Sequence, residues 1–386
     1  MPGFELIGDE ERKEINSIFD NKGILYRYGF DKLRGNSWKV KEFETNFSNK
    51  LSVKYSHAVT SGTAALHTAL MAMGIKPGDE VITSSYTFVA TAEAIIACGA
   101  KPVFTDIDFS INMDPNDIEN RITKKTKIIV PVHMHGSAAD MKKITEIAKK
   151  HSILVLEDSC QALGAKYRGK MLGTIADMGV FSFDYGKVLT TGEGGMVVSD
   201  KKEFADKADW FADHGHEHNT KFSRADDTRS IAGFNYRMCE LQGAIGVAQL
   251  KKLDVIVNKQ RENKKRLKKE LDKISGIEYR KHNDTEEAGD SLIFFVKDSK
   301  IAKDVVKELL KVGIETKNLP SAFKWHFAGT WDHMLPKISE DYKNPEKLWT
   351  RSQEILNRAL AIGISLNMTD EHINKISNAI STGLKE

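Results

Sequence analysis

The sequence predicts an α/β protein built on a mainly parallel sheet with helices on both faces. Two observations support this prediction. From about residue 56 to 200, short apolar and β-branched segments alternate with longer helical ones, which is typical of parallel strands joined by crossover helices. After residue 250 the pattern changes to a lysine-rich amphipathic helix and then a shorter α+β stretch. We therefore expect a large domain over 1–250 and a small one over 251–386.

The alternating region defines the elements of the large domain. Strands are predicted at 80–85, 101–108, 127–136, 153–158, 179–183 and 195–199, and helices at 64–73, 91–98 and 140–151. Each strand is followed by polar or small residues. Because loops at the carboxyl ends of parallel strands form the ligand crevice of an open α/β sheet, we expect the functional residues in these loops.

The remaining elements belong to the predicted small domain. Helices are predicted at 251–274, 301–312, 347–361 and 370–384, with strands at 276–280 and 291–297. Residues 213–230 form the most polar stretch of the chain and are predicted to be an exposed loop.

Composition narrows the class of protein. The chain has 386 residues and a formal charge of +3 without a polybasic stretch, so we expect no nucleic-acid partner. No apolar run reaches the roughly 18 residues that span a bilayer, so we expect no membrane partner either. The three cysteines, Cys98, Cys160 and Cys239, are far apart and in no metal-ligand spacing. A cytoplasmic protein is predicted.

Three loops carry the residues that are candidates for binding and catalysis. SGTAAL at 61–66 opens a helix, whose free N–H groups near Gly62, Thr63 and Ala64 suit a phosphate. VLEDSCQALGA at 155–165 ends a strand with Glu157 and Asp158, which strand alternation should point to opposite faces, so only one serves the crevice.

The third loop carries a lysine. FSFDYGKVLTTGEGG at 181–195 leaves a strand at Ser182 and places Lys187 in a loop that ends with Gly192, Gly194 and Gly195. An isolated lysine is most often a surface residue. A Schiff-base lysine, a carboxylate for the pyridine nitrogen and a phosphate cradle are, however, the groups that pyridoxal phosphate needs, and the three loops offer all of them.

Several motifs together resemble the DegT/DnrJ/EryC1/StrS family of sugar aminotransferases, over nearly the whole chain. This resemblance implies the fold-type I aspartate aminotransferase architecture. The motifs are VKEFETNF at 40–47, SGTAALHTAL at 61–70, YTFVATAEA at 86–94, PVFTDID at 102–108, EDSCQALGA at 157–165, FSFDYGK at 181–187, TTGEGG at 190–195 and GFNYRMCELQGAIG at 233–246.

The resemblance implies a role for each matching residue. Lys187 would form the Schiff base with the cofactor and move the substrate proton, and Asp158 would pair with the pyridinium nitrogen. Gln161 would contact the ring hydroxyl, and Phe88 would stack on the ring. The residues implied to hold the phosphate are Thr63, Ala64, Ser182 and, from the partner subunit of a homodimer, Asn235.

The resemblance also implies the reaction. An amino donor, glutamate in this family, would give its amino group to the cofactor, which would pass it to a keto-sugar in a ping-pong cycle. Some relatives are dehydratases with histidine in place of the lysine, and Lys187 argues against that branch. A cofactor-retaining regulator or a nucleotide-binding module is the alternative from another class. A regulator would need a further segment that binds DNA or a receptor. A nucleotide-binding module would lack visible absorbance after purification.

The acceptor is less constrained than the reaction. ISLNMTD at 364–370 has Asn367 where many sugar-nucleotide relatives have proline. PVHMHGS at 131–137, FDYGK at 183–187 and DHGHEHN at 213–219 are similar to the branch that aminates position 8 of 3-deoxy-octulosonate for lipopolysaccharide. The acceptor is thus predicted to be 8-oxo-3,8-dideoxy-octulosonate, with a nucleotide-linked 3-keto or 4-keto hexose as the alternative.

Two sets of histidines invite other interpretations. Under the octulosonate hypothesis, Arg27, His214, His216 or His218 is available for the substrate carboxylate, although each is more simply an ordinary loop residue. The same three histidines alternate and would share one face of an extended segment. They lack a clear fourth ligand, as do His133 and His135, so no metal is predicted.

Overall fold

A seven-stranded sheet between residues 55 and 199 is the centre of the fold. The computed structural model describes residues 2–283 and 285–385. The strands of the described chain are β1 (Tyr55–Val59), β2 (Glu80–Ser84), β3 (Lys101–Thr105), β4 (Thr126–Val130), β5 (Leu154–Asp158), β6 (Lys166–Tyr167), β7 (Lys170–Met171), β8 (Met178–Ser182), β9 (Gly195–Ser199), β10 (Glu278–Tyr279), β11 (Thr285–Glu286), β12 (Ser291–Phe295) and β13 (Ala359–Gly363).

The central sheet has the strand order β1-β9-β8-β5-β4-β2-β3. Strands β3, β2, β4, β5 and β8 are parallel neighbours, whereas β9 is antiparallel to both β8 and β1. The mainly parallel sheet was predicted, and β1 is the strand that the pattern did not delimit. With helices packed on both faces, the strands are buried, which is why they read as short apolar runs.

The α-helices of the described chain connect these strands and cover the sheet. They are α1 (Asp9–Asp20), α2 (Lys39–Leu51), α3 (Gly62–Ala72), α4 (Ala90–Ala97), α5 (Pro115–Arg121), α6 (Met141–Lys150), α7 (Lys202–Ala212), α8 (Glu240–Leu271), α9 (Ser299–Lys311), α10 (Phe323–His326), α11 (Leu335–Ile338), α12 (Thr350–Asn357) and α13 (Asp370–Gly383). Within the described residues, none of these helices combines the length and apolar character that crossing a bilayer requires.

Helix α8 corrects the predicted start of a helix at residue 251. It begins at Glu240 and runs unbroken to Leu271. Two glycines in its first turns obscured it, because glycine weakens an isolated helix. The same glycines allow close packing on α2: a Cβ at Gly243 would lie 2.5 Å from the backbone nitrogen of Val40. Since α8 runs through residue 250, the division into domains there remains a prediction.

The C-terminal part corrects a second element. The segment predicted as a helix at 347–361 contains the shorter helix α12 and then strand β13. Strand β13 pairs with β12 in a three-stranded sheet of order β10-β12-β13. Its sequence ALAIG has good helix formers, but its first four residues are buried, and tertiary pairing overrides that weak preference.

The polar stretch at 213–230 contains no helix or strand, and residues 220–230 are mostly exposed. Its first residue, Asp213, is by contrast buried and accepts hydrogen bonds from Arg224 (2.8 and 2.6 Å) and Arg237 (2.6 Å). The base of the loop is therefore held by ion pairs while its tip is exposed to solvent.

Candidate active site

A cavity of about 810 Å³ opens at the carboxyl ends of the parallel strands and is closed on its other side by residues 313–318 and 362–376. Six of the predicted site residues line this single cavity, although up to 124 residues separate them along the chain. They are Thr63, Phe88, Asp158, Gln161, Ser182 and Lys187. The cavity therefore joins the lysine, the carboxylate and the helix start in one place.

Asp158 and Glu157 face opposite sides of β5, as strand alternation predicts. Asp158 lines the cavity and accepts hydrogen bonds from the Thr91 hydroxyl (2.8 Å) and the Cys160 N–H (3.1 Å). These two bonds fix the carboxylate and leave further lone pairs for a ligand.

Glu157 is turned into the protein interior. Its carboxylate accepts the backbone N–H groups of Gly173 (2.8 Å), Ile175 (2.6 Å) and Ala176 (2.7 Å). It also lies 3.1 Å from Nε2 of His133, whose Nδ1 accepts the Ala139 N–H. That second bond requires the proton on Nε2, so His133 donates to Glu157. Glu157 therefore has a structural role.

The start of α3 offers a cradle for an anion. The Ser61 hydroxyl accepts the Ala64 N–H (3.0 Å), and the Ser61 carbonyl accepts the Ala65 N–H (3.0 Å). Among the described residues this leaves the N–H groups of Gly62 and Thr63, both on the cavity wall, as donors at the positive end of the helix.

The same cradle admits no side chain at Gly62. An added Cβ there would lie 2.7 Å from Cβ and 3.0 Å from Oγ of Ser182. The loop after β8 thus approaches the helix start so closely that the Ser182 hydroxyl joins the two free N–H groups. These donors, together with the Asp158 carboxylate and Lys187, fit a phosphorylated pyridine aldehyde.

Two predicted phosphate ligands lie elsewhere. Ala64 does not line the cavity, and its N–H is already bonded to Ser61. Asn235 lies outside the cavity as well, is exposed, and forms a bridge with Asp213 at the base of the polar loop. Neither residue therefore lines the cavity that contains Lys187 of its own chain.

Phe88 shares its wall of the cavity with a segment from the C-terminal part. The Thr87 N–H donates to the carbonyl of His326 (2.8 Å), and the Val89 N–H donates to that of Trp325 (2.9 Å). These bonds place the Phe88 ring 5.3 Å from the His326 ring and 6.4 Å from the Trp325 ring. Phe88 remains 43% exposed, so one of its faces is available to a flat ligand.

Gln161 is oriented by its neighbour His135. The backbone N–H of His135 donates to Oε1 of Gln161 (3.0 Å), which turns the NH2 end of the amide away from that bond. The His135 ring lies 2.9 Å from the Tyr86 hydroxyl, and burial holds its pKa well below the usual value. Both this histidine and His133 are therefore core residues.

Sequence reasoning missed an ion pair on the cavity wall. Lys317 binds Asp290, and both line the cavity. Burial raises the pKa of Asp290, but the Lys317 ammonium outweighs this effect and lowers the value to about 2. Neither residue belongs to a local motif, and 132 residues separate Asp290 from Asp158, so no sequence signal marked them.

The N-terminal segment, residues 2–6, closes part of the rim. Pro2 lines the cavity, and the Gly3 N–H donates to the carbonyl of Lys187 (3.1 Å). The Glu5 carboxylate accepts from the Ser365 hydroxyl (2.7 Å) and from both the backbone (3.3 Å) and the side-chain (3.2 Å) N–H groups of Asn367. A proline at 367 would supply neither donor.

Two of the four residues proposed for a substrate carboxylate, Arg27 and His218, line a different cavity of about 830 Å³ beside β1, and neither His214 nor His216 lines either cavity. The Arg27 guanidinium donates to Glu44 (2.5 Å) and to the Ala58 carbonyl (2.7 Å). It is therefore bound internally. In the described chain, no cluster of three or more histidine, cysteine, aspartate or glutamate side chains is arranged to hold a metal ion.

Known proteins are similar to this chain in sequence. The model of the DegT/DnrJ/EryC1/StrS aminotransferase family matches residues 31–381. The chain is 44% identical over 216 residues to GDP-perosamine synthase of Caulobacter vibrioides. The aligned region covers 56% of this chain and 57% of that protein. It is 34% identical over 383 residues to spore coat polysaccharide biosynthesis protein SpsC of Bacillus subtilis, covering 97% of this chain and 94% of that one.

A solved structure has the same architecture. NtdA from Bacillus subtilis, crystallised with bound cofactor PMP, superposes with a TM-score of 0.85 at 27% sequence identity, covering 100% of this chain and 84% of that one. The predicted fold-type I architecture is thus confirmed.

Proposed function

The chain belongs to the DegT/DnrJ/EryC1/StrS aminotransferase family, and on that premise we propose that it transfers an amino group from glutamate to a keto-sugar. It is a pyridoxal-phosphate-dependent aminotransferase. The observation that carries the proposal is the meeting of Lys187, Asp158 and the open start of α3 in one cavity.

The residues have distinct tasks in this reaction. Pyridoxal phosphate, when bound, supplies an electron sink for the substrate carbon that loses or gains the amino group. The N–H groups of Gly62 and Thr63 and the Ser182 hydroxyl would hold its phosphate. The Asp158 carboxylate would face its ring nitrogen, Phe88 would cover its ring, and Gln161 would present its NH2 group to the ring hydroxyl.

Lys187 carries the proton chemistry. Its amino group would attach the cofactor in the resting enzyme and, once displaced by the amino donor, would take a proton from the substrate carbon and return one. The cavity walls formed by residues 313–318 and 362–376 would exclude water while this proton is moved.

A homodimer with shared sites completes the proposal. Asn235 is exposed and does not line the cavity of its own chain, so a phosphate ligand role for it requires a second copy. A two-fold interface would give both cavities the same Asn235 contact. The three cysteines are unpaired, which supports our placement of this enzyme in the reducing cytoplasm.

Two acceptors follow from different observations. The similarity of segments 131–137, 183–187 and 213–219 to one branch of the family supports 8-oxo-3,8-dideoxy-octulosonate. The identity to GDP-perosamine synthase supports a nucleotide-linked 4-keto hexose. On the cavity wall, the Lys317 ammonium, which also binds Asp290, would be a cation for an acidic group of either acceptor.

The test follows the visible absorbance of purified holoenzyme. Glutamate should bleach it, and addition of the true acceptor should restore it. We would compare 8-oxo-3,8-dideoxy-octulosonate with GDP-4-keto-6-deoxymannose at equal concentration. Recovery with neither sugar, or the absence of bleaching with any amino acid, would contradict the proposed function.

Lys187→Ala serves as the matched variant for this test. It should fold but lack both covalent cofactor attachment and the proton shuttle, so neither half-reaction should proceed above background. Borohydride reduction of the wild type followed by peptide mapping should place the cofactor on Lys187. A label on another lysine would remove this assignment.

A further inference from the structure

We infer that His326 accepts a hydrogen bond from a hydroxyl group of the sugar, the one on the carbon next to the reacting carbonyl. This inference rests on the proposed function and assigns the residue that distinguishes the sugar from the amino donor. No motif pointed to His326, because a single histidine in the aromatic stretch AFKWHF carries no pattern.

The contacts of His326 fix its tautomer. Its Nδ1 lies 2.9 Å from the carbonyl oxygen of Ala322. A carbonyl oxygen can only accept, so Nδ1 carries a proton. Burial is the main cause that lowers the pKa of His326, to about 4, and the positive charge of Lys187 contributes. The imidazole is therefore neutral near pH 7, and its Nε2 carries a lone pair.

That lone pair is available to a ligand. His326 is 5% exposed and lines the same cavity as Lys187. Within the described residues, its Nε2 has no hydrogen-bond partner, whereas Nδ1 and the backbone carbonyl are both bonded. A neutral imidazole in an apolar wall of this kind selects a neutral donor such as a hydroxyl.

The neighbours of His326 indicate which hydroxyl of the sugar its Nε2 would meet. The backbone of His326 is bonded to Thr87, next to Phe88, so the imidazole and the Phe88 ring form one wall of the cavity. Lys187 lines the same cavity, and the Phe88 ring, which would cover the cofactor, lies 5.3 Å from the imidazole. Because Lys187 would act at the reacting carbon, our inference assigns the hydroxyl that meets Nε2 to the neighbouring carbon. Glutamate has no hydroxyl and cannot make this contact.

The test compares each acceptor with its analogue that lacks the neighbouring hydroxyl. The sugars are those that the wild type aminates: 8-oxo-3,8-dideoxy-octulosonate with its 7-deoxy analogue, or GDP-4-keto-6-deoxymannose with its 3-deoxy analogue. We would measure kcat/KM for both members of the pair on wild type, His326→Phe, His326→Ala and His326→Gln. The ratio within one preparation cancels any difference in the fraction of folded enzyme.

Wild type should prefer the hydroxylated sugar by about tenfold, the effect of one hydrogen bond in a buried site. His326→Phe and His326→Ala should lose this preference, and His326→Gln should keep part of it through its amide oxygen. The glutamate half-reaction should change less than about twofold in His326→Gln. Lys324→Ala, an exposed position on the same short helix, should behave as wild type.

An unchanged preference in both His326→Phe and His326→Ala would overturn the inference while leaving the aminotransferase proposal intact. Equal loss of the glutamate and sugar half-reactions in all three variants would assign His326 a structural role and would also overturn it. Failure of wild type itself with glutamate and with both sugars would instead overturn the proposed function, and this inference with it.

Discussion

Two adjacent carboxylates, Glu157 and Asp158, face opposite sides of β5, so substituting each one tests a different property. Asp158→Asn should lower kcat by at least about 100-fold while most of the cofactor stays bound. The phosphate donors are unchanged, but the ring loses the anion that keeps its nitrogen protonated, and each pKa unit corresponds to about 1.4 kcal/mol. Single-turnover kinetics and the cofactor content after acid release would measure the two effects.

A near-normal turnover in Asp158→Asn would remove this carboxylate from the mechanism. Loss of cofactor in proportion to activity would make Asp158 a binding residue only.

The neighbouring substitution Glu157→Gln should act on stability. The buried carboxylate accepts three backbone N–H groups and the His133 ring, and an amide nitrogen in place of one oxygen would face a donor. We expect a loss of about 3 kcal/mol in the free energy of unfolding, typical of hydrogen bonds to a charged group, with kcat of the folded fraction little changed. Urea unfolding with activity per folded molecule would measure this loss, and an unchanged midpoint would refute it.

Among helices and strands, packing decides where local propensity does not. Gly243→Ala improves helix propensity by up to about 1 kcal/mol. Its Cβ would, however, lie 2.5 Å from the backbone nitrogen and 2.7 Å from Cα of Val40, and backbone cannot rotate away. Overpacking of this kind costs about 1 to 3 kcal/mol.

We therefore expect Gly243→Ala to have a lower thermal midpoint than wild type. Asn258→Ala, at an exposed position of the same helix, is the control and should be neutral or slightly stabilising. A midpoint above wild type for Gly243→Ala would show that α2 and α8 can separate without cost.

The sequence predicts some helices and strands of this fold better than others. The parallel strands of the sheet were found because burial on both faces leaves a local apolar signature. The start of α8 and strand β13 were missed because their states depend on contacts with α2 and β12, which are distant in sequence.

The candidate site divides in the same way. Asp158 ends β5 and Lys187 lies in the loop after β8, and both belong to motifs that the sequence shows. Asp290, Lys317 and His326 enter the cavity from the C-terminal part, and only the folded chain brings them to Lys187.

For the whole molecule, the proposed homodimer makes a prediction of its own. Lys187→Ala and Asn235→Ala should each be impaired alone, yet a mixture of exchanging subunits should regain activity. If Asn235 serves the partner's cavity, a mixed dimer has one cavity with both lesions and one with neither. Assaying the mixture after subunit exchange, verified with tagged chains, would measure this recovery.

Failure to complement despite demonstrated exchange would count against a shared site. Full activity of a monomer isolated by size-exclusion chromatography would exclude it. The remaining possibility for Asn235 is a local one, since its side chain already lies 3.4 Å from the N–H of Arg237.

The contacts of residues 2–6 have a practical consequence for producing the protein. Pro2 lines the cavity and the Gly3 N–H donates to the carbonyl of Lys187, so this end of the described chain is close to the site. We therefore expect an affinity tag at that end to hinder sugar binding and to disturb the bonds between Glu5 and residues 365–367. A tag that follows α13 would leave this rim undisturbed, so kinetic work should use that arrangement.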